Sequence, residues 1–182
     1  MSDHFDVVRT PIDGALVLHP RVFSDERGCF LEIFSRDRYR EAGIGEPFVQ
    51  DNLSSSKRGV LRGLHGDPRM SKLVQSVAGD AYDVIVDLRA GSPTYRRWFG
   101  LTLRASERTQ LYVPAGCLHG FLALSDETLF LYKQSALYDP ACEFGVAWND
   151  PDLAIEWPAA GSPPVLSAKD AANPTLRELG RL

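Results

Sequence analysis

The sequence is short of the residues that staple or metallate small proteins. Its three cysteines (Cys29, Cys117 and Cys142) are an odd number, widely spaced and without a Cys-x-x-Cys pair, which excludes a disulfide framework and a zinc knuckle. It holds only four histidines and no His-x-His pair. It has no apolar run approaching the ~20 residues that cross a bilayer. Residues 1–20 lack a basic stretch followed by an apolar block, so a cytoplasmic protein with no membrane partner is expected. Positive charge is not in surplus either. A net charge of -4 argues against a dedicated nucleic-acid surface, while still allowing a local basic pocket for a phosphorylated small molecule.

What is present is enough for a core. With 182 residues, 44% hydrophobic and 10% aromatic, the chain fits one domain spanning 1–182 and is not disordered as a whole. The dominant texture is short runs of β-formers cut by Gly, Pro, Asp and Ser. Strands are expected over Ala15–Leu18, Cys29–Phe34, Val60–His65, Leu73–Val77, Tyr82–Leu88, Arg97–Leu103, Gln110–Val113, Gly120–Leu124, Thr128–Gln134 and Gly145–Trp148. This spacing points to an all-β antiparallel sandwich or barrel. A helix is expected from Ser35 or Arg36 to Ala42, closed by Gly43, and a second could start at Ser167-Ala168-Lys169-Asp170. The proline-bearing tail from Pro151 should wrap over the barrel.

Strand parity gathers polar groups at the ends of apolar strands. His119 shares a face with Phe121 and Ala123, and Phe130, Tyr132 and Gln134 share another. In Tyr82–Leu88, the set Tyr82, Val84, Val86 and Leu88 reads as core, with Asp83, Ile85 and Asp87 facing away from it. His65 ends its strand, and Lys72 opens the next after Gly66-Asp67-Pro68-Arg69-Met70-Ser71. Barrels present ligand cavities in this way. Taken singly, each residue has a plain structural reading: His119 as a hydrogen-bonded core histidine, Tyr132 as a core tyrosine with its hydroxyl satisfied, Lys72 as surface, Tyr138 as a turn residue, and His4 and His19 as terminal and turn residues. A metal-binding jelly-roll barrel needs clustered ligands, typically two histidines one residue apart with a carboxylate and a third histidine. That set is missing here, so no metal is expected.

Several strings carry a more specific message. They are Phe23-Ser24-Asp25-Glu26-Arg27-Gly28-Cys29-Phe30-Leu31-Glu32, Gln50-Asp51-Asn52, Gly59-Val60-Leu61-Arg62-Gly63-Leu64-His65, Pro114-Ala115-Gly116-Cys117-Leu118-His119-Gly120-Phe121, Leu131-Tyr132-Lys133, Trp148-Asn149-Asp150-Pro151 and Ser167-Ala168-Lys169-Asp170. In order and spacing they resemble the dTDP-4-dehydrorhamnose 3,5-epimerase family, over roughly Pro11 to Pro174. The resemblance implies a cupin-type jelly roll that forms a homodimer, uses no cofactor, and epimerises a nucleotide-diphosphate-linked 4-keto-6-deoxy sugar at C3, C5 or both. It further implies His65 as general base, Asp170 as its orienting carboxylate, Tyr132 as the acid on the opposite face and Lys72 facing the C4 oxygen. Arg27, Glu32, Gln50, Asn52, Arg62, His119 and Lys169 match positions that hold nucleotide, phosphates or sugar. Tyr138 matches an aromatic near the reacting ring, and Arg27 and its neighbours match a segment that reaches the partner subunit's site.

The residue types suit that chemistry. A C–H beside a ketone is acidic because its carbanion delocalises onto oxygen. An imidazole serves as the base near neutral pH, and a fixed cation stabilises the oxyanion. Two arginines, Arg27 and Arg62, suit a diphosphate. Arg62 and His65 have opposite parity, so a bulge or a sharply curved strand end is expected between them. The segment from Gly66 to Ser71 is shorter than in the familiar members. It resembles relatives acting on other nucleotide sugars, leaving open a GDP- or CDP-linked substrate and inversion at one centre only. A nucleotide-sugar 3,4-ketoisomerase and a non-catalytic sugar-nucleotide binding module are the other readings.

Overall fold

The protein, a computed structural model, is described over residues 4–159 and 161–181. The strands are β1 (Phe5–Arg9), β2 (Leu16–Pro20), β3 (Val22–Asp25), β4 (Gly28–Leu31), β5 (Gln50–Ser56), β6 (Leu61–Gly66) and β7 (Lys72–Ala78). They continue with β8 (Asp80–Asp87), β9 (Trp98–Arg104), β10 (Gln110–Val113), β11 (Cys117–Ala123), β12 (Thr128–Gln134) and β13 (Phe144–Gly145). Two short helices, α1 (Arg36–Glu41) and α2 (Ala168–Ala171), complete the set. A six-stranded sheet in the order β1-β2-β10-β7-β12-β5 faces a five-stranded sheet in the order β13-β6-β11-β8-β9, and β3 and β4 form a separate hairpin. Every strand pair is antiparallel, which gives the expected cupin-like jelly roll.

The main core lies between the sheets. It joins Val17, Val74, Leu111 and Phe130 of the larger sheet to Ile85, Leu103, Cys117 and Phe121 of the smaller one. Phe121 and Phe130 stack across the gap, with ring centroids 4.3 Å apart and planes 8° from parallel. A second apolar layer covers the outer face of the five-stranded sheet, where Leu64, Val84, Val86 and Leu118 pack under Val146, Leu153 and Leu176 of the C-terminal tail. This corrects the sequence reading of β8. The set Val84, Val86 and Leu88 is buried, but beneath the tail. Asp83, Ile85 and Asp87 point inward between the sheets and are equally buried. The tail makes the difference: a strand covered on both faces loses its polar–apolar alternation.

Helix α1 ends as expected. Gly43 takes φ +96, while its N–H and that of Ile44 donate to the carbonyls of Arg40 and Tyr39, a glycine-closed C-terminus. Buried Tyr39 anchors the helix on Phe5, Leu18 and Tyr112, against the outer face of the larger sheet. The tail begins its return at Val165, which bridges in parallel to Val60. It is pinned again where the N–H of Ala147 donates to the carbonyl of Pro174 at 2.8 Å.

One irregularity places the site. Along β11 and β6, His119 faces His65 but Phe121 faces Arg62, so three steps on β6 match two on β11. This bulge restores a common face to Arg62 and His65. Gly63 sits in it with φ +121, and a Cβ there would lie 2.6 Å from the Cα of Gly120. Only glycine fits both the backbone and the space.

Candidate active site

A cavity of about 320 Å³ opens between the sheets. β6 and β11 contribute Arg62, His65 and His119 from one sheet. β5, β7 and β12 contribute Asn52, Ser54, Lys72, Tyr132 and Gln134 from the other, and the tail adds Ser167, Lys169 and Asp170.

His65 Nε2 lies 2.8 Å from Asp170 Oδ1. Ser167 caps α2 by accepting from the backbone N–H of Asp170 at 3.0 Å, and its hydroxyl donates to Asp170 Oδ2 at 2.9 Å. The carboxylate is therefore fixed from two sides. Burial opposes its ionisation. The hydrogen bonds from His65, Ser167 and the Gly63 backbone outweigh that and hold it below the ordinary carboxylate range. An ionised Asp170 accepts Nε2–H, which leaves the lone pair of the neutral His65 ring on Nδ1.

The second histidine is deeper. His119 Nε2 lies 2.9 and 3.1 Å from the two carboxylate oxygens of Asp83. Asp83 is opposite Phe121 on the neighbouring strand, diagonal to His119 and within side-chain reach. Burial raises the Asp83 carboxyl against the opposing pull of His119 and Lys72, and burial lowers His119 despite Asp83. Lys72 is buried at 9% exposure, and its ammonium forms no ion pair among the described residues. Burial pushes it down to about 8, with Asp83 and Asp67 resisting.

Tyr132 projects from the facing sheet beside Phe130, with ring centroids 5.1 Å apart, and meets His119 edge-on at 6.2 Å. Its hydroxyl pairs with Ser54 Oγ at 3.1 Å, and burial raises its phenol well above the ordinary value. At the mouth, Arg62 is held by Ser56 Oγ at 3.0 Å and the Ser55 carbonyl at 3.1 Å. Lys169 pairs with Glu143 and lies 5.9 Å from the centre of the Tyr138 ring. Asn52 donates to Gln134 at 3.1 Å.

The profile of the dTDP-4-dehydrorhamnose 3,5-epimerase family matches residues 9–178. The dTDP-4-dehydrorhamnose 3,5-epimerase of Salmonella typhimurium is 46% identical over 174 residues, 93% of this chain and 94% of its own.

The chain belongs to the dTDP-4-dehydrorhamnose 3,5-epimerase family.

A solved Legionella pneumophila dTDP-6-deoxy-D-glucose-3,5-epimerase, in complex with dTDP-4-keto-L-rhamnose, superposes with a TM-score of 0.92 at 44% identity, covering 96% of this chain and 94% of that one. A Streptomyces niveus dTDP-4-dehydrorhamnose 3-epimerase is 46% identical over 164 residues, 87% of this chain and 78% of its own.

Of the family positions read from the sequence, His65, Lys72, Tyr132, Asp170, Asn52, Arg62, His119, Tyr138 and Lys169 line one cavity. Gln50 stands just outside it, bonding Asn52 at 3.1 Å and the backbone N–H of Tyr138 at 3.0 Å. Arg27 and Glu32 are not brought there by this chain. Arg27 sits at the tip of the β3–β4 hairpin beside a separate hollow, paired with Asp25, and Glu32 pairs with Arg38. The hairpin belongs to neither large sheet, so nothing folds it back over the cavity. His19 is in β2, donating to or accepting from Thr109 at 3.2 Å, and is not a turn residue. Sequence reasoning missed Ser54, Gln134 and Glu143 as lining residues, and Asp83 as the partner of His119. The alternating acids of Asp83 and Asp87 in an apolar strand were the available signal for Asp83, and Glu143 gave none. Among the described residues no group of three or more His, Cys, Asp or Glu is placed to hold a metal ion, and no helix is long and apolar enough to cross a membrane.

Proposed function

We propose that this protein epimerises a dTDP-linked 4-keto-6-deoxy sugar by removing and returning protons at the carbons beside the C4 ketone. His65 Nδ1 takes the proton from one face, and Asp170 stabilises the imidazolium that forms. The electron pair passes to the C4 oxygen as an enolate. The buried Lys72 ammonium meets that charge in a place water does not screen, worth about 3–4 kcal/mol for a well-placed donor. Tyr132, on the facing sheet, returns a proton to the other face of the carbon, and its phenol is kept neutral by burial until then. His65 gains one proton and Tyr132 loses one, and exchange with solvent resets both, so the reaction balances without an oxidant. Arg62 and Lys169 at the mouth receive the diphosphate, Asn52 and His119 the polar edges of the ligand, and Tyr138 a ring face, with Gln50 bracing Asn52 and the Tyr138 backbone from outside the cavity.

The observation that carries this reading is that His65, backed by Asp170, and Tyr132, from the opposite sheet, open into one cavity with Lys72. In D2O, a dTDP-linked 4-keto-6-deoxy hexose should acquire deuterium at C3, C5 or both, with an inverted product by NMR. Absence of exchange on every such sugar overturns the reading. Whether one or two carbons invert is read from the same spectrum.

We also infer that a second copy of the chain covers the β3–β4 hairpin, where Phe30 is 73% and Phe23 49% exposed, and that Arg27 and Glu32 act from there on the partner's cavity. The protein is expected in the cytoplasm, where nucleotide sugars are made. Light scattering gives the mass in solution, and a monomer at micromolar concentration removes the dimer.

A further inference from the structure

The edge strand β5 carries a row of short polar side chains, Asn52, Ser54 and Ser56, at alternate positions. Each bonds one side chain of the site. Asn52 donates to Gln134 at 3.1 Å, Ser54 Oγ lies 3.1 Å from the Tyr132 hydroxyl, and Ser56 Oγ accepts from Arg62 Nε at 3.0 Å. We propose that Ser54 is a positioning residue for the acid: it donates to the Tyr132 oxygen, leaves the phenol hydrogen free for the substrate carbon, and holds the phenolate once that proton has gone. This role rests on the reading of Tyr132 as the acid.

The register of the two strands brings the pair together. Ser54 stands opposite Phe130 and Tyr132 opposite Asn52, so serine and tyrosine are diagonal neighbours on one face of the sheet. Both line the cavity. Among the described residues Ser54 is the one hydrogen-bond partner of the phenol. A hydroxyl has a single hydrogen to donate. A phenol that gives its hydrogen to a carbon cannot also give it to Ser54, and the direction of the bond follows: Ser54 donates and Tyr132 accepts.

In the step itself the enolate pair forms the new C–H bond, the C4 ketone re-forms, and the O–H pair stays behind on the phenolate oxygen. Burial works against that phenolate, while the Ser54 hydrogen bond and then the Arg62 charge favour it. β5 governs both, since Arg62 is held by Ser56 and the Ser55 carbonyl. As the proton leaves, the Ser54 bond becomes charge-assisted and roughly twice as strong as one between neutral groups. That gain appears only as charge develops, so it lowers the barrier to proton return without stabilising the resting enzyme.

The role predicts a split between two readouts. In Ser54→Ala, with the substrate in D2O, His65-dependent exchange with retention should stay close to wild type. Inversion should fall by about 10-fold or more, the loss expected for a hydrogen bond to a charged group. In a Tyr132→Phe background the same substitution should cost inversion nothing further, because its effect passes through the phenol. Ser54→Cys, whose thiol is a weak donor, serves if alanine disturbs packing, and the same direction is expected. A readout independent of turnover comes from 13Cζ-labelled tyrosine. The chain has six tyrosines, and Tyr132→Phe assigns the signal of interest. That signal should move in Ser54→Ala while the other five stay. An unmoved signal, unchanged inversion, equal falls in exchange and inversion, or a full additional loss in the double variant overturns the proposal. A wild type that exchanges deuterium into no 4-keto sugar refutes the function and this role with it, whereas a wild type that exchanges and inverts, with no split in Ser54→Ala, refutes this role alone.

Discussion

Replacing Asp170 by asparagine separates geometry from charge at the base. The amide has the shape of the carboxylate, and α2 keeps its cap, because Ser167 Oγ accepts from the backbone N–H of residue 170 and not from its side chain. Two losses follow at His65. The first is a charge-assisted hydrogen bond of 2.8 Å, worth about 1.5–3 kcal/mol and hence roughly 10- to 150-fold in rate. The second is the tautomer. An amide N–H now presented to Nε2 makes Nε2 the acceptor, moves the ring proton to Nδ1, and removes the lone pair that abstracts the C–H. Where an aspartate orients a histidine base, that change approaches 10⁴-fold. Deuterium wash-in at C3 and C5 should therefore slow by about 10²- to 10⁴-fold, with substrate KM within a few-fold and thermal stability nearly unchanged. A wash-in rate within threefold of wild type would show that His65 does not depend on Asp170 as described.

Tyr132→Phe should split the reaction, leaving His65-dependent exchange with retention while inversion falls by about 10²-fold or more, the size of a general-acid contribution; equal loss of both would place Tyr132 on the same face as His65. Gly63→Ala should destabilise the protein by roughly 3 kcal/mol or more, because the methyl group meets backbone at 2.6 Å in a left-handed conformation; a neutral result in urea titration would remove the tight strand crossing from the account. Asp87 is fully buried, and although burial opposes its ionisation, bonds from Arg89, Ser92 and Thr94 hold its carboxyl far below the usual range. Its stabilisation is therefore complete above the unfolded value of about 4 and fades as pH falls through the lower folded value. Asp87→Asn should lose stability at pH 7 and show a weaker acid dependence than wild type below about pH 4. Parallel stability curves for the two proteins across pH 2 to 7 would contradict that.

The strands that could be read in the sequence are those with one apolar face, such as β12, whose alternation of Phe130, Tyr132 and Gln134 fixes the cavity side at once. β5 could not, because Gln50–Ser56 is an edge strand with one leucine among polar residues, and Leu53 itself is 61% exposed. Its place comes from pairing with β12 rather than from its own hydrophobicity. β13 proved shorter than Gly145–Trp148 because the chain leaves the sheet to start the tail. The histidine, the lysine and the tyrosine could be named before any fold was known, through their matched strings. For Asp83 the alternation with Asp87 in an apolar strand marked a carboxylate out of place, but not its partner, since the pattern looks the same whether it faces solvent or a buried imidazole. The mismatch between Arg62 and His65 was visible as a conflict, and the bulge at Gly63 is its resolution.

The base and the carboxylate that orients it lie 105 residues apart, the first inside the barrel and the second in the tail that seals Val84, Val86 and Leu118 from water. A chain halted near residue 145 would thus carry a bare greasy sheet and an imidazole without direction. Val146 and Leu153 begin to cover the sheet first, and the stretch that carries Asp170 and Leu176 then completes the cover and orients the base together.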